Sequence, residues 1–490
     1  MKWRYTIWAL AFALALCVTG VRAQDQQQNS QSASPTPIPP PNSGGGGGYS
    51  KPPAPAARGV SPAYDAPTYD PAQVVPDTNT LSGAQLLGVG SLEHTHNIFD
   101  PSISFSELGL ITTGTGGQSN VGSETIVNGI LNFNRTWSRY HLTTVYNGGG
   151  IFYEGPVYSY SQNTQYHDLA VSQQIDWERW HLVLRDDFTV SSGAAFTGTG
   201  MGGPGLFAGS SSLLGSSLNS IGQTFIPSQS IQTGNVMRYM NAVLGQAGYS
   251  LSRRSTLTFS GSYGLLHFIN AGYISSRMLN AQAGYDYQLD PKNSIAILAG
   301  YGKIDYTGTT NFITQYNAGL AYGRKITGRL ALQVGGGPQL IRSASGTGNF
   351  QLWLASVNSA LTYERRRSGV SLSYGRGLNA GSGVFMGATS NTFSGTANHQ
   401  FTRFWAGSVN GGYALNNSLA PAGAATTGFT NLFGGASLGR QVGRRARISF
   451  SYGIWRQTSS SNACPVASCG GTGNQHSFGI TVNWHLRPTG

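Results

Sequence analysis

The stretch "LNAQAGYDYQLDPKNSIAILAGYGKIDY", residues 279 to 306, alternates apolar and polar residues on both sides of the turn "DPKN". Leu279, Ala281, Ala283, Tyr285, Tyr287 and Leu289 share one parity, and Asn280, Gln282, Gly284, Asp286 and Gln288 share the other. A period of two marks a strand with one apolar and one polar face. After the turn Ile295, Ile297, Ala299 and Tyr301 repeat the pattern against Ser294, Ala296, Leu298 and Gly300. The arms of this hairpin run to about eleven residues, roughly twice the usual strand and close to what a tilted strand needs to cross a bilayer.

The alternation returns about eighteen times, first near residues 102–113 and last near 475–486. Tight turns such as "TWSR", "DWERW", "SRRS", "KITGR", "ERRRSG", "TRF" and "GRR" alternate with longer Gly-, Ser- and Asn-rich connections at 192–234, 379–388, 416–428 and 458–474. Short on one side and long on the other is the pattern of an up-and-down transmembrane β-barrel. The weakest segment, "PSISFSELGLIT", is required by topology, because the strand running into "TWSR" must be preceded by one of opposite direction. The expected fold is therefore all-β, an antiparallel barrel of 16 to 18 strands.

Composition excludes other classes. Only 10% of residues are charged and 69 of 490 are glycine, unusual for a cytosolic enzyme. Mean hydropathy is -0.17, and beyond the first twenty residues no apolar run approaches the roughly eighteen of a spanning helix. A barrel wall passes that test because only alternate residues meet lipid. A secreted soluble β-sandwich or repeat protein is the remaining fold alternative.

The apolar rows end in aromatic residues, with Trp177, Trp180, Tyr363, Trp405 and Trp484 at girdle positions. The opposite parity offers Asn128, Asn132 and Asn134, then Gln315, Asn317 and Gly319, then Ser394, Thr396, Asn398 and Gln400. With these hairpins, an export leader and the final strand "HSFGITVNWHL", the chain from about residue 100 resembles Gram-negative outer-membrane β-barrels of the porin-like class. That resemblance implies residence in the outer membrane, contact with its lipid and lipopolysaccharide, and assembly by the barrel assembly machinery. In the final strand Phe478, Ile480, Val482 and Trp484 fit the class pattern, although "LRPTG" trails past them. No motif selects a family within the class.

The first 23 residues, "MKWRYTIWALAFALALCVTGVRA", have a basic start, an apolar run and small residues before Gln24, the pattern of a signal peptide cleaved after Ala23. Lipidation at Cys17 is disfavoured by the preceding Leu16. Loss of Lys2, Arg4 and Arg22 lowers the formal charge from +12 to +9. Residues 24–80 are Pro-, Gly- and Gln-rich and cannot bury a core, so they read as a disordered periplasmic linker. Residues 81–100 are an irregular lead-in and 101–490 the barrel. Cys464 and Cys469, the two thiols left after cleavage, are a candidate local disulfide.

The C-terminal half is basic, with Glu364 the only acid after Asp305. Most of these bases sit at short turns, where they cap the membrane edge; scattered so, they form no nucleic-acid surface. Arg342, Arg376 and Arg456 lie instead at the long-loop ends of their strands on the apolar parity, placed to meet lipopolysaccharide phosphates. Candidate lumen-lining charges are Asp168, Arg185, Asp187, Arg238 and Asp286, whose mixed signs define no single-sign filter. Arg185 with Asp187 is expected to face Asp168 on the adjacent strand.

Catalytic and metal signals are thin. His94 and His96 in "EHTHN" lack a third ligand, and "GTGMGGPG" lacks the lysine and hydroxyl of a phosphate loop. His141 and His181 share lumen parity on non-adjacent strands and read as polar lining. No metal, cofactor or catalytic residue is assigned. The segment Ser192 to Gly234 is the longest connection, and its apolar pieces suggest a constriction in the mouth or, alternatively, a free external loop. Three functions remain open: a porin-like channel for small polar or ionic solutes, a surface-binding or structural barrel plugged by its loop, and a barrel enzyme with no nameable site.

Overall fold

The computed structural model describes residues 98–114, 119–155, 163–191, 236–269, 272–345, 348–365, 367–381, 383–419, 428–443, 445–459 and 473–486. Its elements are β1 (Ile98–Gly114), β2 (Ser119–Trp137), β3 (Tyr140–Glu154), β4 (Thr164–Asp176), β5 (Trp180–Ser191) and β6 (Arg238–Ser252). They continue with β7 (Ser255–Phe268), β8 (Ser276–Asp290), β9 (Asn293–Tyr306), β10 (Phe312–Lys325), β11 (Leu330–Ser345) and β12 (Gly348–Arg365). The last six are β13 (Ser368–Asn379), β14 (Ala388–Gln400), β15 (Trp405–Ser418), β16 (Gly428–Val442), β17 (Ala446–Ser459) and β18 (Gly473–His485).

Each strand pairs antiparallel with its neighbours in sequence, and β1 pairs with both β2 and β18, so the sheet closes into an eighteen-stranded barrel. Closure removes the free edges that would otherwise invite aggregation. The weak segment "PSISFSELGLIT" lies within β1 and is the seam. It holds because Ser102, Ser104 and Ser106 point inward while Ile103 and Phe105 point outward. β1 begins at Ile98, inside the stretch read from sequence as an irregular lead-in.

One end of the barrel carries the short turns and both terminal strand ends. In "DPKN" the Asp290 carboxylate accepts the backbone N–H groups of Lys292 (2.7 Å) and Asn293 (2.9 Å), which fixes the turn locally. The long-loop end is uneven, because two of its connections, 115–118 and 346–347, are themselves short.

The faces follow the alternation. Leu279, Tyr285, Tyr287 and Leu289 of β8 are exposed on the outside, while Asn280, Gln282 and Asp286 are buried inside. The exposed apolar row from Leu279 to Leu289 spans ten steps of ~3.3 Å, which at a tilt of ~40° covers roughly 25 Å. Above that band the polarity inverts. Arg277, Lys303, Asp305 and Arg342 point outward, while Met278, Ile304, Ile313 and Ile341 point inward into a buried apolar cluster.

Candidate functional site: the lumen and its mouth

The inner wall has two characters. Over β12 to β17 it is largely half-exposed and rich in small hydroxyl, amide and glycine positions, with Arg447 of β17 beside Gly439 near the short-turn end. Directly paired hydroxyls bond across strands: Ser373 with Ser394 (2.7 Å), Ser408 with Ser437 (2.7 Å), and at the seam Ser106 with Thr481 (2.9 Å). Between β8 and β11 an amide ladder forms, in which Gln339 Nε2 donates to Gln315 Oε1 (2.6 Å) and Gln315 Nε2 donates to Asn280 Oδ1 (3.3 Å). Glycine makes the ladder possible. A Cβ on Gly302 would fall against both Gln315 and Asn280, and one on Gly335 against the Asn358 amide. With no side chain on these glycines, the amides have room to bond along the wall, and Asn280, Gln315 and Gln339 are buried there.

Over β4 to β8 the inner face carries charge, but that charge is buried. Asp168, Arg185, Asp187, Arg238 and Asp286 all point inward, and the last four are at most 4% exposed. Arg185 grips Asp187 through Nε to Oδ2 (2.7 Å) and Nη2 to Oδ1 (2.9 Å). This pair lies along one strand at i, i+2. The expected partnership across strands with Asp168 does not form, because the register sets Asp168 opposite Thr189, whose hydroxyl donates to it at 3.2 Å. Glu124, which sequence reasoning passed over, is also inward and fully buried, opposite Leu108 and Tyr153.

The mouth is narrowed by residues 380–387, which join β13 to β14. This segment turns inward. Val384 and Phe385 are buried, the Phe385 ring lies 5.6 Å from that of Phe429 on β16, and Gly383 packs against the Phe268 ring of β7. Ile274 N–H, in the β7–β8 connection, donates to Gly383 C=O at 2.9 Å. The strap thus links β7 and β16, which stand nine strands apart in the ring. A loop with both ends on neighbouring strands reaches inward by about half its contour, roughly 14 Å, against a ring of roughly 35 Å across. It reaches the β7 side because the β7–β8 connection meets it. Gly383 has φ of 81°, and it lies so close to Phe268 that a side chain there would be both strained and obstructed. Under the strap the inner ends of β8 to β11 are capped by the apolar cluster of Met278, Ile304, Tyr306, Ile313 and Ile341.

Residues 379–388, one of the longer connections expected from sequence, thus cover their apolar residues by folding inward. The Ser192 to Gly234 connection, expected to make the constriction, lies outside the described residues. So do His94, His96, Cys464 and Cys469.

At the short-turn end His141 and His181 sit on strands either side of β4 and converge on Asp176. His181 Nδ1 is 2.5 Å from Oδ1, and His141 Nε2 is 3.7 Å from Oδ2. Among the described residues no group of three or more His, Cys, Asp or Glu is arranged to hold a metal. Arg342, Arg376 and Arg456 are exposed on the outer face near the long-loop end, and the Arg342 guanidinium lies 5.7 Å from the Tyr316 ring centroid.

No protein-family model and no curated protein matches the chain. Among solved structures the fold is similar to the outer membrane protein OpdK of Pseudomonas aeruginosa, with a TM-score of 0.39 and 10% identity over 79% of this chain and 99% of that one. It is similar to OccK9 (OpdG) of the same organism, with a TM-score of 0.40 and 10% identity over 79% and 98%. Acinetobacter baumannii OccAB1 gives 0.39 and 10% over 79% and 97%.

Proposed function

We infer that this chain is an outer-membrane channel for passive diffusion of small polar solutes. One observation carries the reading: a closed barrel whose outer face is an exposed apolar band, and whose inner face from β12 to β17 is polar and half-open. An exposed apolar surface of that extent is stable in hydrocarbon and not in water. A ring of eighteen strands is wide enough to hold a water-filled lumen, and the strap blocks part of it.

In this reading the short turns face the periplasm and the long connections face outside. The exposed Trp177, Trp180 and Trp484 then mark the inner-leaflet girdle. Arg342, Arg376 and Arg456 would bond lipopolysaccharide phosphates, and Cys464 with Cys469 would close a small external loop. The outward row of β18 is the segment offered to the barrel assembly machinery. The chain has no enzymatic role in this reading.

Planar-bilayer recording of the refolded chain tests it. Stable ohmic steps are expected. Absence of current, both from the intact chain and from a variant with residues 380–387 shortened to a tight turn, would overturn the channel.

A further inference from the structure

We propose that the solute is uncharged and hydrogen-bonding, of the polyol or simple-sugar class, and that the channel discriminates little between cations and anions. The inference rests on the channel reading above and names its solute.

The first support comes from the connections at the long-loop end. The strand order places nine there: 115–118, 155–163, 192–237, 269–275, 307–311, 346–347, 380–387, 419–427 and 460–472. None contains an Asp, Glu, Lys, Arg or His. They total roughly a hundred residues, in a chain of which 10% is charged, so chance composition would give about ten ionisable groups. Each of the eight turns at the other end, by contrast, contains an arginine or lysine. Charge is thus frequent in the turns at one end and absent from the connections at the other, where Arg277, Lys303, Asp305, Arg342, Arg376 and Arg456 stand on the outer face and Arg238 is buried. Connections without fixed charge add no field of one sign at that end, and the steering of ions depends on such a field.

The wall supplies the second, independent support. Over the eight consecutive strands β9 to β16 the only inward parity positions with a carboxylate, ammonium, guanidinium or imidazole are Lys325 and Glu364, both within two residues of a short turn. On the opposite wall Glu124, Arg185, Asp187, Arg238 and Asp286 are buried, Arg185 with Asp187 cancels locally, and the half-exposed Asp176 is met by His141 and His181 at the short-turn end. Away from the short-turn ends, where Arg447 of β17 also faces inward, the half-exposed surface left to a solute is mainly serine, threonine and asparagine. Hydroxyls and amides both donate and accept, so they exchange bonds with a polyhydroxylated solute while it sheds water. Between the short-turn ends and the mouth, an ion crossing the same surface finds no counter-charge to offset its desolvation.

The test uses the full chain in planar bilayers and liposomes. In a potassium chloride gradient the reversal potential should correspond to a cation/anion permeability ratio within about twofold of unity. Liposome swelling should be at least as fast with sorbitol or glucose as with the similarly sized gluconate or glucosammonium ions. Ser394, on the half-exposed wall, provides a second measurement. Ser394→Asp should shift the reversal potential toward cations and Ser394→Arg toward anions, by comparable amounts. A native ratio beyond about tenfold, or a charged solute entering several times faster than both neutral ones, would overturn the solute class and leave the channel standing. No conductance and no swelling with any solute would instead remove the channel itself, and the solute class with it.

Discussion

Asp100 and His485 lie 385 positions apart in the chain, yet His485 Nδ1 is 3.2 Å from Asp100 Oδ2, on the inner face of the seam where the first strand meets the last. The carboxylate is nearly inaccessible, at 3%, so its partner matters. Replacing His485 by leucine leaves a buried carboxylate without that contact. The substitution should lower unfolding stability by about 3 kcal/mol, read from urea titration of the barrel refolded in liposomes. His485→Gln, which can still donate, should recover most of the loss.

Depth in the membrane can be read by arginine scanning along β8. Ala283 lies at the middle of the outward apolar row and Leu289 at its short-turn end. Ala283→Arg should cost about 2–4 kcal/mol and Leu289→Arg no more than about 1 kcal/mol in the same unfolding measurement. Equal costs at the two positions would contradict the placement of the band.

Strap anchoring depends on Phe385, which is buried among Val384, Ala388 and Phe429. Phe385→Ala should free residues 380–387 from the wall at a cost of about 3–5 kcal/mol to that contact. Single-channel recordings are expected to show larger and noisier conductance steps than the native chain. Unchanged steps would mean that the strap does not limit the passage.

The amide ladder predicts a paired result. Gln315→Leu removes the bonds to Asn280 and Gln339 and should destabilise by about 1–3 kcal/mol. Gly302→Val should disrupt the same bonds from the opposite strand, because its side chain occupies the space in which Gln315 lies. Combining the two should cost less than the sum of the single effects, since both act on one contact.

Much of this barrel was legible in the chain because lipid imposes a strict period. Each outward position within the hydrocarbon band must be apolar, so the alternation pointed to 16 to 18 strands where the barrel has eighteen, and the parity of Leu279 to Leu289 identified the outer face. Even the faint β1 could be inferred, since a strand ending in "TWSR" needs one running the other way. The site was less legible. Met278, Ile304, Ile313 and Ile341 break the polar-inward rule and look like noise in the pattern until residues 380–387 are seen to cover them. Arg185, Asp187 and Asp168 share one parity in the sequence, but pairing within that face depends on register, which a period of two leaves free. His141 and His181 looked remote because β4 intervenes, yet β4 supplies the Asp176 on which they meet.

The sequence by itself thus determined strand number, direction and facing, because those depend on the nearest solvent of each residue. Only the tertiary structure decided the closure of Asp100 onto His485 and the inward fold of the strap onto Phe268 and Phe429. Those contacts join segments far apart in the chain, and no local pattern specifies which distant surface a buried side chain will find.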